Sequence, residues 1–272
     1  MVFARHHQPP SRVIPDYVNQ WQLRPDGPPI HDDGTSVLPV LTAEGVRAVL
    51  KIGRADSQAE HEHLVLRRWS GRGAVRLLRA DPHHRALLLE RLSGNDLAGL
   101  TDVDACAVIA GLYRSLHVPA MPQLRTLHSE LGHWRHDFSE LPRSAAIPHR
   151  LVEQAIGVID ELADEPQTTV LHGNLHYATV LAAEREPWLA IAPKPVNGDP
   201  HYEVAPMLWS RWNDLAGDVR DGVRRRFYAL VDAAGFDEEW ARAWVIVRVV
   251  RAAMRDPGGL TRYVAVAKAV LD

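Results

Sequence analysis

The stretch Thr168-Thr169-Val170-Leu171-His172-Gly173-Asn174-Leu175-His176-Tyr177-Ala178-Thr179, with Ile191-Ala192-Pro193-Lys194-Pro195 and Gly198-Asp199-Pro200 close behind it, decides how the whole chain is read. Three apolar islands, at 168–171, 179–183 and 188–191, are too short for helices and flank a dense polar loop, which predicts short strands around that loop. On both sides of this region the periodicity is helical. From Thr101 onward Val103, Ala107, Val108, Ala110, Leu112 and Leu116 recur at helical spacing. Further helices are predicted over 125–140, 148–163, 204–215, 219–235, 238–255 and 260–271.

The first ninety residues follow a different period. A Pro- and His-rich start leads through a helix-like piece at 16–23 to the turn Pro25-Asp26-Gly27-Pro28-Pro29. From Ser36 to Gly53 apolar residues nearly alternate, interrupted by Thr42-Ala43-Glu44-Gly45, which predicts a hairpin. Ser57 with Glu60 reads as a capping box opening a helix that runs to Trp69. Two more apolar runs, 74–80 and 85–92, are separated by the turn Asp81-Pro82-His83-His84. Residues 1–92 therefore read as a small β-rich lobe with one main helix, and 93–272 as a larger, mostly α-helical lobe.

The 272 residues carry 31 basic and 34 acidic side chains, a formal charge of −3 that argues against a dedicated nucleic-acid binder. Cys106 is the single cysteine, so no intrachain disulfide framework and no thiolate metal cluster is expected, and a cytoplasmic setting fits best. No run of about 18 apolar residues exists, and Met1 to Pro10 lacks the apolar stretch of a signal peptide, so no membrane partner is expected. Only Lys51, Lys194 and Lys268 are lysines, which leaves 28 arginines. A codon bias explains that number but not the positions.

A β-rich lobe, one connecting segment and a helical lobe containing strand–loop–strand hairpins is the α+β layout of a two-lobed, protein-kinase-like fold. The residues sharpen it. Val49-Leu50-Lys51 ends a small-lobe strand and Glu62 sits on the next helix, ahead of the His172-Gly173-Asn174-Leu175-His176 loop and the Pro193-Lys194-Pro195 loop. In this order the motifs resemble the aminoglycoside phosphotransferase family, specifically its streptomycin 6-kinase and hydroxyurea kinase branch, from roughly Trp21 to the C-terminal helices.

The resemblance implies that Lys51 binds the α and β phosphates of a nucleotide and pairs with Glu62. It also implies a loop of the form His-Gly-Asp-Leu-His-x-x-Asn, whose Asp handles the acceptor's hydroxyl proton and whose Asn binds magnesium. A second motif, Ile-Asp-Pro-Lys-Pro, supplies the Asp that bridges magnesium to the phosphates. Here Asn174, Thr179 and Ala192 stand at these three positions. An amide takes no proton at neutral pH, threonine is a shorter and poorer ligand, and alanine coordinates nothing. The remaining catalytic candidates beside Asn174 are His172 and His176, which bracket the loop. Tyr177, Lys194, Asp199 and Glu203 complete the cleft candidates, the last two also as alternative metal ligands.

Losing both metal ligands should cost roughly three or more orders of magnitude in rate. The expectation is therefore a pseudokinase: phosphoryl transfer lost, the interlobe cleft kept for a nucleotide or another small molecule, no cofactor required, and no metal held at Thr179 and Ala192. Binding of ATP with magnesium is disfavoured on the same grounds. Two alternatives stand beside it. The cleft could be reused for metal- and ATP-independent chemistry of the cyclase or isomerase type in specialised metabolism. Or the chain is an antibiotic 6-O-phosphotransferase whose metal site is altered or deliberately inactivated. His133, His136 and Asp137, which share a helical face, are weighed as a metal site but read as surface, and Trp209, Trp212, Trp240 and Trp244 are weighed as the wall of a ligand pocket between helices but read as core.

Overall fold

A computed structural model describes residues 10–32, 34–53, 59–92, 94–163 and 168–271. The alternating pattern of the first ninety residues becomes one antiparallel sheet of six strands: β1 (Arg24–Pro25), β2 (Ile30–Asp32), β3 (Thr35–Leu41), β4 (Arg47–Ile52), β5 (Leu77–Asp81) and β6 (Ala86–Glu90). Its order is β1-β3-β4-β6-β5, with β2 also paired to β3. The β3–β4 hairpin closes at the predicted turn, where Gly45 N–H bonds Thr42 O at 2.9 Å.

Period 2 along β4 sorts its side chains between two cores. Ala48, Leu50 and Ile52 join Leu38, Val40, Ala86 and Leu88 in a cluster with Tyr17 and Trp21, beneath helix α1 (Pro10–Gln20). The intervening Lys51 is thereby placed on the opposite face, between Val37 of β3 and Leu87 of β6 in the ladder. That face packs toward α2 (Glu62–Trp69), whose Val65, Leu66 and Trp69 join Leu87 and Leu89 in the large core. The predicted capping box lies partly outside the described residues, at Ser57. The helix starts at Glu62 with His61 at the N-cap, which makes no side-chain cap bond.

The second half supplies α3 (Asp102–Leu116), α4 (Leu127–Ser139), α5 (His149–Leu162), α6 (Ala205–Trp209), α7 (Val219–Ala234), α8 (Glu238–Arg255) and α9 (Leu260–Leu271). Thr101, Thr126 and Asp237 cap α3, α4 and α8 by accepting from backbone N–H groups of the first turn. The helix expected over 204–215 is broken. It stops at Trp209, Arg211 takes a left-handed conformation (φ 48°), and Trp212–Leu215 continue as a 3-10 turn. Tertiary contacts hold the break: Ser210 O accepts from Arg226 Nη1 at 2.6 Å, and the Arg211 guanidinium donates to Ala98 O at 2.9 Å.

Four short strands frame the polar loops: β7 (Thr169–Leu171), β8 (Val180–Ala182), β9 (Trp188–Ala190) and β10 (Val196–Gly198). β7 pairs antiparallel with β10, and β8 with β9. The β8–β9 hairpin also ties the two halves together. Val75 N–H bonds Ala190 O and Ala190 N–H bonds Gly73 O, both at 2.9 Å. In its turn Arg185 donates to Ala74 O at 2.7 Å and lies 3.1 Å from each carboxylate oxygen of Glu90 on β6. Among the described residues no helix is long and apolar enough to cross a membrane.

β10 was not expected from the sequence, and Gly198 shows what it is for. A Cβ there would lie 2.2 Å from Cδ1 of Leu127 and 3.1 Å from Cδ1 of Leu171, so α4 can approach the β7–β10 pair only over a glycine. Leu127 is itself buried and has nowhere to move. Gly198→Ala should therefore lower unfolding free energy by about 1–3 kcal/mol with secondary structure retained, as read from urea denaturation followed by circular dichroism.

Candidate functional site

The loop after β7 is built on one buried carboxylate. Glu203, fully buried in a 3-10 turn at Pro200–Val204, accepts the backbone N–H of His172 (2.5 Å) and of Gly173 (3.1 Å) through its two oxygens. Burial pushes its pKa up, but His117, with Nε2 3.7 Å from Oε1, together with His172 and the Gly173 N–H, brings it below the ordinary glutamate range. Gly173 sits at φ +74°, and a Cβ there would lie 2.4 Å from Lys194 O. Lys194 N–H in turn bonds His172 O at 2.8 Å, so the two polar loops are hydrogen-bonded to each other.

Both loop histidines are committed by their ring nitrogens. His172 Nδ1 accepts Asn174 N–H at 3.3 Å, which leaves Nε2 to donate to Ile191 O at 3.1 Å. The ring stacks on Trp69, centroids 5.9 Å apart, and burial pushes its pKa down to about 4. His176 caps the 3-10 turn Tyr177–Thr179: Nδ1 accepts Ala178 N–H at 3.3 Å, so the proton sits on Nε2. Burial, then the Lys194 charge, push its pKa down to about 4. Neither ring presents a basic nitrogen, so neither is placed as a general base.

The three positions that differ from the family motifs are equally specific. Thr179 is buried, and its hydroxyl is spent inside the loop, 2.7 Å from Asn174 O and 3.1 Å from His176 O, while accepting His176 N–H at 2.9 Å. Asn174 Nδ2 donates to Ala192 O at 3.3 Å, a bond that a carboxylate could not donate. Ala192 itself sits at φ +53°, a left-handed conformation that Asp and Asn adopt more readily than alanine.

Lys51 and Glu62 meet across the lobe: Nζ lies 2.8 and 2.7 Å from the two carboxylate oxygens, with both side chains largely shielded from solvent. The Lys51 charge is a minor contributor to the lowered pKa of His172, behind burial.

Three sequence candidates stand behind the loop as supports instead of on a cavity wall. Tyr177 is buried, with its hydroxyl on Asp102 at 2.5 Å and its ring between the guanidinium groups of Arg211 and Arg226. Asp199 accepts from His201 Nδ1 (2.6 Å), His201 N–H (2.9 Å) and Trp244 Nε1 (2.7 Å), which hold its pKa below the ordinary aspartate range against the opposing effect of burial. Glu203 is likewise hydrogen-bonded within the fold, and neither carboxylate is among the residues lining the cavity beside the loop. Among the described residues no three His, Cys, Asp or Glu side chains converge as a metal site. Asp137 pairs with Arg251 at 2.8 Å, while His133 and His136 are exposed.

A cavity of about 250 Å³ opens beside the loop, lined by Gly173, Asn174, His176 and Lys194 of the polar loops and by residues of α4 and α8 among others. Trp209 is on its wall, whereas Trp244 is buried behind, and Trp212 and Trp240 pack partly buried against the core. Sequence reasoning missed the arginines here. Arg248, Arg251 and Arg255 line the cavity from a helix whose other positions, Val245 to Val247, Val249, Val250 and Ala253, are buried. The signal was the spacing of 3 and 4 residues on an otherwise apolar helix.

The histidines give the fold a pH signature. Unfolded, His172 takes its proton below about 6.5; folded, only below about 4, so between these values the unfolded chain binds more protons and stability falls as pH falls. His172 alone removes up to roughly 3 kcal/mol at the lower end. His176, whose ring is partly open to the cavity, adds less. Urea midpoints at about pH 7, 5.5 and 4.5 should fall stepwise, and His172→Asn, less stable at neutral pH, should show a shallower slope across this window.

Comparison with known proteins agrees with this architecture. The family model described as aminoglycoside/hydroxyurea antibiotic resistance kinase matches residues 20–258. The chain is 40% identical over 254 residues to a streptomycin 6-kinase of Streptomyces glaucescens, covering 90% of this chain and 82% of that protein. It is 40% identical over 252 residues to a hydroxyurea phosphotransferase of Kitasatospora aureofaciens, covering 89% and 71%. A choline kinase structure from Streptococcus pneumoniae superposes with a TM-score of 0.64 at 12% identity, covering 96% of this chain and 98% of that one, which shows the shared two-lobed fold. By sequence and by fold, the chain belongs to the aminoglycoside/hydroxyurea antibiotic resistance kinase family.

Proposed function

We propose that this chain has given up phosphoryl transfer and serves as a small-molecule binder on a kinase scaffold. The observation that supports this most is the state of Asn174, Thr179 and Ala192. The Thr179 hydroxyl is used up within the loop, Ala192 offers no side-chain oxygen, and the Asn174 amide is bonded to the Ala192 carbonyl. Magnesium at a phosphoryl-transfer site needs oxygen ligands from the protein as well as from the phosphates. The side chains at these positions do not fit that ion, and Asp199 and Glu203 are engaged elsewhere.

The other half of the machinery stays in place. Lys51 is fixed by both oxygens of Glu62, and Lys194 and His176 line the cavity. These groups bind and orient an anionic or polar ligand. Among them is no carboxylate that takes up a hydroxyl proton, and positions 174, 179 and 192 hold no carboxylate ligand for a metal that would share the charge on a transferring phosphoryl group.

Transfer of labelled phosphate from ATP with magnesium to streptomycin and to hydroxyurea should be absent in the native chain. The triple variant Asn174→Asp, Thr179→Asn, Ala192→Asp should raise transfer by roughly 10³-fold or more, with melting temperature as the control for folding. Native turnover within the usual enzymatic range of about 1–10³ per second would overturn the proposal.

A further inference from the structure

We infer that the cavity beside the loop takes a small organic anion, a carboxylate or phosphate carried on a planar ring, instead of a polycation. This rests on the reading of the cleft as a binding site and names the class of its ligand. Five cations line the cavity: Lys194 and Arg125 together with Arg248, Arg251 and Arg255 of α8. Two carboxylates share the lining, and both are already paired. Glu130 lies 2.6 Å from Arg125, and Asp256 lies 3.0 Å from Arg262 and accepts the Tyr263 hydroxyl at 3.1 Å.

Arg248 is held in place from three sides. It donates to Tyr202 O at 2.8 Å and to Gly173 O at 3.2 Å, and its guanidinium lies 3.9 Å over the Tyr202 ring. Among the described residues no carboxylate pairs with it. A guanidinium fixed by two carbonyls and an aromatic face is pre-oriented for a planar oxyanion and loses little freedom on binding one. Arg251 is ordered in a similar way, over Trp134 and against Asp137. A ligand bearing several positive charges would meet this net positive wall unfavourably.

The rest of the lining fits a ring. Trp134, Trp209 and Tyr263 are part of the lining, each with an arginine guanidinium over its ring, and His176 and Asn174 add neutral polar groups. The volume of about 250 Å³ is just under the range of roughly 300–1,000 Å³ that encloses drug-sized ligands, which suits one ring carrying one anionic group.

Calorimetric titration of the full chain with phenyl phosphate, with streptomycin, and with ATP in EDTA tests this. Phenyl phosphate should bind at least about tenfold tighter than streptomycin and weaken several-fold between about 50 and 500 mM NaCl. Arg255→Glu, at an exposed position at the end of α8, should weaken phenyl phosphate at least about tenfold, with the far-UV circular dichroism spectrum as the control for folding. Arg255→Gln, the milder second variant, should weaken it by a smaller factor. Competition between ATP and phenyl phosphate would assign the anion to a nucleotide's phosphates, and independent binding would assign it to a separate organic acid; either result supports an anion site. The inference is overturned if phenyl phosphate does not bind at about 10 mM, if streptomycin binds more tightly, or if neither salt nor the Arg255 variants change phenyl phosphate affinity. Transfer activity of the native chain would sink the loss-of-transfer reading without altering this charge preference, so the two failures are separable.

Discussion

A carboxylate with no exposure to solvent must be satisfied by the protein around it, and Glu203 is satisfied by the backbone of the loop that defines the site. Its two oxygens take the N–H groups of His172 and Gly173, which fixes the start of the loop. Gly173 then turns through a left-handed conformation against Lys194 O, and the second loop is locked to the first. His172 lies flat on Trp69 at the end of α2, whose other end carries Glu62 and hence Lys51. One buried charge therefore sets the relation between the cation of the small lobe and the loops of the large one. Removing it would leave two buried N–H groups without partners as well as a cavity.

That arrangement explains how side-chain chemistry can change while the shape of the site does not. The loop is held by backbone groups, by Glu203 and by the Thr179 hydroxyl, none of which needs a base or a metal ligand at positions 174 and 192. Ala192 shows the same separation from the opposite direction. Its left-handed conformation is one that alanine adopts at a cost of roughly 1–2 kcal/mol relative to the right-handed region, and the chain around it still imposes it. The backbone at this position has a conformation that aspartate or asparagine would adopt more readily than alanine.

Much of the fold was legible because its periods are strong. Alternation along β4 placed Lys51 opposite Leu50 and Ile52, and apolar spacing located α3, α7, α8 and α9 closely. What escaped had a physical reason in each case. Val196-Asn197-Gly198 is too short to show alternation and becomes a strand only because β7 lies beside it. The break at Arg211 is imposed by Arg226 and Ala98, distant in sequence. Asp199, Glu203 and Tyr177 read as reactive groups because their residue types are reactive. Their partners, His201, Trp244, the loop backbone and Asp102, come into view only in the folded chain.

The arginines of α8 escaped for a different reason, which lies in the composition. In a chain with 28 arginines and three lysines, one more arginine carries little information, so the two lysines at motif positions, Lys51 and Lys194, drew the attention. Burial restores the contrast. A helix buried on most sides against apolar neighbours places a guanidinium inward only where some group compensates its desolvation. Among the described residues Arg248 is held by two carbonyls and lies over two aromatic rings, with no carboxylate in direct contact. An unbalanced charge at the wall of a cavity is completed most favourably by an anion from outside. The position of three arginines, more than their number, is therefore what sets this site apart from a pocket shaped for cations.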